Sequence, residues 1–144
     1  MTPPRPVLRV VWWLHQAIRR VSGGRVGTSR PRGNRVGTLF LHTVGRRSGQ
    51  PRVNALFYIM DGADHVVVGS NAGAGMDPAW SLNLRHRPEA EVEIAGTRHP
   101  VRAREATADE AAGLWPRLDT ANPDYATYRA SADRPIPIFI LEAR

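Results

Sequence analysis

Residues 38–60 read TLFLHTV, GRRSGQPR, VNALFYIM: an apolar run (38–44), a polar connection (45–52) and a second apolar run (53–60). Short runs rich in β-branched and aromatic side chains, separated by glycine and proline, predict two strands joined as a hairpin. The connection holds Arg46, Arg47 and Arg52 but no Asp or Glu. Close guanidinium groups repel one another unless an anion lies between them, and a phosphate suits that place because it accepts bidentate bonds. Gly45 and Gly49 permit tight bends that would bring backbone amides, the Ser48 hydroxyl and the three guanidiniums to one point. A solvated turn is the competing reading, since arginine is common on surfaces.

Outward from this hairpin the pattern stays mainly β. A turn at Asp61-Gly62 leads to a strand over 65–70. A two-residue turn at Ala95-Gly96 joins EVEI (91–94) to TRHPVRAR (97–104) and sets Glu93 opposite Arg98. IPIFILE (136–142) reads as a last buried strand. Helical signals interrupt the strands. Asp77 is placed to cap a helix with Pro78 at its first position, running to about Arg87. Thr107 and Glu110 form a capping box for a helix through Leu118, and a short helix surrounds Tyr125 and Tyr128. About six strands joined mostly by hairpins, two or three helices and no regular βαβ alternation predict a mainly β, α+β fold. The expected architecture is a small, mostly antiparallel barrel with helices packed around it.

At 144 residues the chain can bury a real core as one domain. We expect the barrel over 35–144, preceded over 1–34 by an amphipathic helix and a Gly/Pro/Arg-rich arm. There is no cysteine. Disulfides, thiolate nucleophiles and thiolate metal sites are therefore excluded, and a reducing, cytoplasmic compartment fits. All 20 basic residues are arginine, which rules out a GxxxxGK[ST] phosphate loop and a lysine Schiff base. Residues 1–60 hold 11 Arg and no acid, whereas residues 61–144 hold 9 Arg against 13 acids. Such asymmetry points to an anionic partner for the first half. Within 6–22, Val7, Val11, Leu14, Ile18 and Val21 repeat at helical spacing with Trp12 and Trp13 beside them. The run VVWWL is too short to span a membrane. Two destinations stay open for this helix: its stripe packs on the barrel, or Arg5, Arg9, Arg19 and Arg20 meet anionic headgroups at the inner face of the cell membrane.

Weaker motifs narrow the chemistry further. VVVGSNAGAGMDPAW has the strand, glycine, helix order of a dinucleotide fingerprint, but Pro78 stands at the third glycine position and a hairpin follows the helix. A glycine-rich loop still lets a flat ring approach the backbone, whose amides can donate to it. The histidines His15, His42, His65, His86 and His99 show no HxxxH or HExxH spacing, so no metal is expected. Ser48 and Ser70 lack a GxSxG elbow. Nucleic acid is not the expected partner: Phe40 is the one aromatic residue among the arginines of 23–52, and no recognition motif is present.

Two long stretches, HTVGRRSGQPRVNALFYIMDGADHVVVGSNAGAGMDPAWSLNL (42–84) and ANPDYATYRASADRPIPIFILEAR (121–144), carry a resemblance. Through the GR[RK]SG-x-PR loop, the PAW-x-x-NL helix start and the late R-x-IP-I strand, roughly residues 35 to 144 resemble the deazaflavin-dependent nitroreductase family. That resemblance implies a split β-barrel related to flavin-nucleotide-binding reductases. The cofactor it implies is coenzyme F420, an 8-hydroxy-5-deazaflavin with a phosphate and a polyglutamate tail. By resemblance, Arg46, Arg47, Ser48 and Arg52 grip the phosphate, with Asn54 close by. The ring would lie near Ser70, Asn71, Ala72 and Gly73, alongside Pro78, Ala79 and Trp80. Phe57, Asn122, Tyr125 and Tyr128 would face the substrate, and Ser70, Tyr125 and Tyr128 are the implied donors or proton sources. The implied reaction moves hydride from C5 to a small, hydrophobic, electron-poor acceptor: a quinone, a conjugated alkene or a nitroaromatic. Phe57 and Asn122 stand where the nitroimidazole-activating branch has tyrosine. A non-catalytic F420 carrier and an FMN-binding barrel reductase remain as alternatives.

Overall fold

The expected hairpin is the first element of the barrel. β1 (Gly37–Val44) pairs antiparallel with β2 (Pro51–Asp61), with Val44 opposite Pro51 and Gly37 opposite Tyr58. The chain continues through β3 (Asp64–Val68), α1 (Ala79–His86), β4 (Glu89–Ile94), β5 (Thr97–Glu105), α2 (Ala108–Ala121), α3 (Asp124–Ser131) and β6 (Ile138–Ala143). The computed structural model describes residues 27–144, and the amphipathic helix expected over 6–22 lies outside them. The strands close in the order β1-β2-β3-β6-β5-β4, every pair antiparallel. The mostly antiparallel barrel read from the sequence is the architecture found.

Alternation along the strands splits the apolar residues between two cores. Leu39, Leu41, Tyr58, Val67, Val92, Phe139 and Leu141 point into the barrel, where Trp80 and Leu84 of α1 plug one end. Ile59, Val66, Ile138 and Ile140 point outward and are covered by Leu114 and Leu118 of α2 and Tyr125 of α3. β3 and β6 are thus buried on both faces, which is why they read as unbroken runs, VVV and IFIL, without polar alternation. Each fully buried Leu, Ile or Phe contributes about 1.5–3 kcal/mol relative to exposure.

Local signals mostly hold, with informative exceptions. The β4–β5 hairpin turns in two residues, with Ala95 and Gly96 at φ 53° and 82° and Glu93 opposite Arg98. The close partner of Glu93, however, is His42 Nε2 of β1 at 2.7 Å, with Arg98 Nε at 3.8 Å. The capping box forms in both directions: Glu110 N donates to Thr107 Oγ1 and Thr107 N to Glu110 Oε1. The third strand stops at Val68 rather than at residue 70: Gly69 N still donates to Pro137 O, but Pro137 has no N–H to return a bond, and the chain turns left-handed at Asn71. The last strand begins at Ile138 rather than at residue 136, since Pro137 has no N–H for the ladder. The first tight turn is Gly62-Ala63, with Asp61 paired to Asp64. Asp77 does not cap α1. Pro78 is the N-cap, and the Asp77 carboxylate is drawn into ion pairs with Arg85 and Arg134.

Residues 28–36 fold back onto the barrel. Ser29 and Thr38 exchange backbone hydrogen bonds of 2.9 and 3.0 Å, and Ala95 N donates to Thr28 Oγ1 at 2.9 Å. Gly37 has no room for a side chain, because a Cβ there would lie 2.5 Å from Ser29 O and 2.7 Å from Pro31 N. Arg35 N closes a tight turn onto Arg32 O at 3.0 Å. No helix among the described residues is long and apolar enough to cross a membrane.

Candidate functional site

The β1–β2 connection folds as a cradle. Gly45 N donates to Gln50 O and Gly49 N to Gly45 O, both at 2.8 Å. Gly49 sits at φ 70°, which favours glycine, and a Cβ on Gly45 would lie 2.7 Å from Ser48 Oγ, so a side chain there would displace the serine hydroxyl. Ser48 Oγ accepts from Gln50 N (3.1 Å) and from Arg52 Nη2 (3.3 Å). Asn83 of α1 fixes Arg46: its Oδ1 accepts from Arg46 N (3.2 Å) and Arg46 Nη1 (3.1 Å), while its Nδ2 donates to Thr43 Oγ1 (3.3 Å). Among the described residues, no carboxylate lies within 4.0 Å of Arg46, Arg47 or Arg52. Their charge is open to a ligand. A cleft of 370 Å³ runs between them and α1, bordered also by Asn54, Ala79 and Trp80. The structure therefore brings Arg46, Arg47, Ser48, Arg52, Asn54, Ala79 and Trp80 together around one cleft. Trp80 is mostly core, 4 % exposed, with its ring edge-on to Phe139 at 5.6 Å.

The glycine-rich segment is a left-handed turn. Ser70 is right-handed (φ −73°, ψ −31°), and Asn71, Ala72 and Gly73 follow at φ 46°, 52° and 79°. Gly73 N donates to Ser70 O at 2.9 Å and Ala74 N to Asn71 O at 3.0 Å. A right-handed residue followed by a left-handed one is the backbone arrangement in which neighbouring amides converge on an anion. Left-handed residues with a Cβ cost roughly 1–2 kcal/mol each, so something must hold them. Arg134 does so. Its guanidinium donates to Gly69 O (3.2 Å), Ser70 O (3.0 Å) and Ala74 O (3.1 Å), and Nη1 pairs with Asp77 Oδ1. Asp77 Oδ2 in turn accepts from Arg85 Nη1 at 2.6 Å, and Arg85 Nε reaches Glu105. α3 lies over the turn so closely that a Cβ on Gly73 would come within 2.9 Å of Ser131 Oγ and 3.6 Å of Tyr128.

The remaining expected residues occupy different settings. Ser70 heads the turn, half-buried. Tyr128 is half-buried beside Gly73, whereas Tyr125, on the same helix, is 4 % exposed in the outer core. Burial pushes the Tyr125 hydroxyl up to about 12, against the opposing hydrogen bond from Asn122. Phe57 stands 52 % exposed on β2, and Pro78 and Asn122 are half-buried at the start of α1 and the end of α2. Sequence reasoning assigned no site role to Arg134, Asp77 or Asn83. Two of them lay inside motifs already singled out, PAW-x-x-NL and R-x-IP-I, and Asp77 was read as a cap. Among the described residues no group of three or more His, Asp or Glu is arranged to hold a metal ion.

A cradle of guanidiniums without a carboxylate among the described residues suits a phosphate, and a clamped turn with a right-handed to left-handed step suits the close approach of a flat ring. Comparison with known proteins agrees. A family model described as F420H(2)-dependent quinone reductase matches residues 12–143. An F420H(2)-dependent quinone reductase of Mycobacterium tuberculosis is 34% identical over 134 residues, spanning 91% of this chain and 89% of that protein. A solved F420-H2 dependent reductase superposes with a TM-score of 0.67 at 30% identity, covering 73% of this chain and 93% of that one. A solved chain described as a domain-swapped dimer reaches 0.71 at 27% identity, covering 90% and 97%.

Proposed function

Because the chain belongs to the F420H(2)-dependent quinone reductase family, we propose that the cleft between the arginine cradle and α1 holds coenzyme F420, with its ring reaching toward the left-handed turn, for reduction of a small, electron-poor quinone. The observation that carries this reading is the set of three cradle arginines without a carboxylate among the described residues. Arg46, Arg47 and Arg52, with the Ser48 hydroxyl and the Asn54 side chain, would hold the phosphate. Asn83 keeps Arg46 in place for it. The backbone of 71–73 and the Pro78–Trp80 helix start would border the ring.

When bound and reduced, the deazaflavin supplies a hydride from its C5. The protein's part is to position the acceptor, exclude water and present donors to the oxyanion that develops on it. Ser70, at the head of the turn, and Tyr128, beside it, are the hydroxyls available for that role. Tyr125 keeps its proton throughout the neutral range and, being buried and bonded to Asn122, holds α3 and Tyr128 in place. Phe57, exposed on β2, and Asn122 complete the acceptor side with apolar surface and an amide. A lipid-dwelling quinone would suit attachment of residues 6–22 to the inner membrane surface. Equal pelleting with anionic liposomes by the full chain and by a chain lacking residues 1–22 would remove that part.

The test is titration of the full chain with F420 and, separately, FMN, followed by a naphthoquinone added to the reduced complex. Arg46→Ala/Arg47→Ala should weaken F420 binding by about 2–4 kcal/mol, roughly thirty- to a thousandfold. Unchanged affinity in that variant, or a preference for FMN, overturns the assignment.

A further inference from the structure

Among the described residues, the end of the barrel away from the arginine cradle also holds a cavity. Its floor consists of inward-facing side chains from the ends of β2, β3 and β4: Tyr58, Met60, His65 and Ile94. One wall is the folded-back arm, bearing Arg30 and Arg35, and the other is α2 through Pro116 and Thr120. The cavity measures 820 Å³. That size accommodates a drug-sized molecule, and barrel mouths are places where such molecules bind. The arm is a built wall, tied to β1 at Thr38 and to the β4–β5 turn at Ala95, with Gly37 kept bare to let it pass.

The lining contains three arginines and no Asp or Glu. Arg117 is already used, donating to Asp61 Oδ1 at 2.9 Å and to Met60 O at 2.6 Å. Arg30 and Arg35 have no carboxylate within 4.0 Å among the described residues. On the floor, His65 Nδ1 is buried and has no hydrogen-bond partner among the described residues. Buried polar atoms nearly always have one, so this atom points to something missing. Burial, and then the neighbouring His99, lower the His65 pKa, which leaves the imidazole neutral. Its Nδ1 can carry the proton in one tautomer and donate it to a ligand that reaches it.

We propose that this second mouth binds a small amphipathic oxyanion. A carboxylate or phosphate head would bridge Arg30 and Arg35 and accept from His65 Nδ1, with its apolar body against Met60, Ile94 and Pro116. The site shares no residue with the cradle, so it stands or falls independently of the F420 reading.

The experiment titrates the full chain, with and without saturating F420, with decanoate, decyl phosphate and decanol. Binding is read by calorimetry and by the imidazole NMR signals of His65 and His99. The expected result is that at least one of the acids binds about tenfold or more tightly than decanol, shifts the His65 signals and is indifferent to F420. The tighter acid identifies the head group, and equal binding of the two means that either oxyanion serves. Arg30→Ala/Arg35→Ala, which alters only the exposed rim, and His65→Phe, which keeps the ring packing, should each weaken that acid while F420 binding stays unchanged. Failure of both acids to bind overturns the proposal, as do equal affinity for decanol and undiminished binding in the rim variant. Competition with F420 overturns it too, since the acid would then occupy the cradle.

Discussion

Arg134→Met removes the clamp on the left-handed turn, and the structure sets the size of the effect. The side chain is 13 % exposed and donates to three carbonyls of the turn as well as to Asp77. Bonds from a charged donor contribute about 1.5–3 kcal/mol each, and removing one partner of a buried ion pair costs about 3–5 kcal/mol. Two features lower the total. Asp77 keeps its bond to Arg85, and a relaxed turn exposes its freed carbonyls to water. The expected global loss is therefore about 3 kcal/mol, the lower end of that range. The turn itself holds Asn71 and Ala72 left-handed, at roughly 1–2 kcal/mol each. Once unclamped, that strain shifts the turn away from its binding shape, so F420 affinity should fall by about ten- to a hundredfold. Urea denaturation read by tryptophan fluorescence measures the first effect and F420 titration the second. Arg85→Met, with a side chain 37 % exposed, should do far less. An Arg134→Met protein with stability within about 0.5 kcal/mol of the parent and full F420 affinity would refute the clamp.

Asn83→Leu, isosteric but without the acceptor, should release Arg46 and weaken F420 binding about tenfold, with a stability loss of about 1–3 kcal/mol from the unpaired Thr43 and Arg46 groups. Gly73→Ala meets both a φ of 79° and a 2.9 Å contact with Ser131 Oγ. It should cost about 1–2 kcal/mol in thermal or urea unfolding, and adding Ser131→Ala should recover only the steric part. Tyr125 carries a pH signature. Its hydroxyl is raised to about 12 in the fold, against ~10 in the unfolded chain. Across that window the unfolded state loses a proton that the folded state keeps. Stability that is fully present below pH ~10 is therefore lost toward 12, by about 2–3 kcal/mol, and Tyr125→Phe should flatten that part of the profile.

The hairpins were legible because their signals are local. Ala95-Gly96 demands left-handed residues, and the arginine connection sits between two obvious strands. The cradle was legible for the same reason: its residues lie within the β1–β2 hairpin, apart from Ala79, Trp80 and Asn83 on α1. Where partners are distant, local signals misled. Asp77 looks like a cap, yet Arg134, 57 residues away, outbids the helix N-terminus for its carboxylate. Tyr125 and Tyr128 are three apart and share one helix face, but how α3 docks buries the first in the outer core and leaves the second half-buried at its edge, beside Gly73. The far mouth left no trace in the sequence, since its lining comes from the arm, β2, β3, the β4–β5 hairpin and α2.

The order in which the strands close has a consequence for synthesis. β6, the last strand made, pairs with both β3 and β5. Until it arrives, a nascent chain presents two raw sheet edges to its surroundings, the kind of surface on which chains stick to one another. Arg134 travels in the same terminal stretch. A chain truncated before it would lack the seam of the barrel and the fastener of the proposed ring site together, so partial products should be aggregation-prone and unable to bind cofactor.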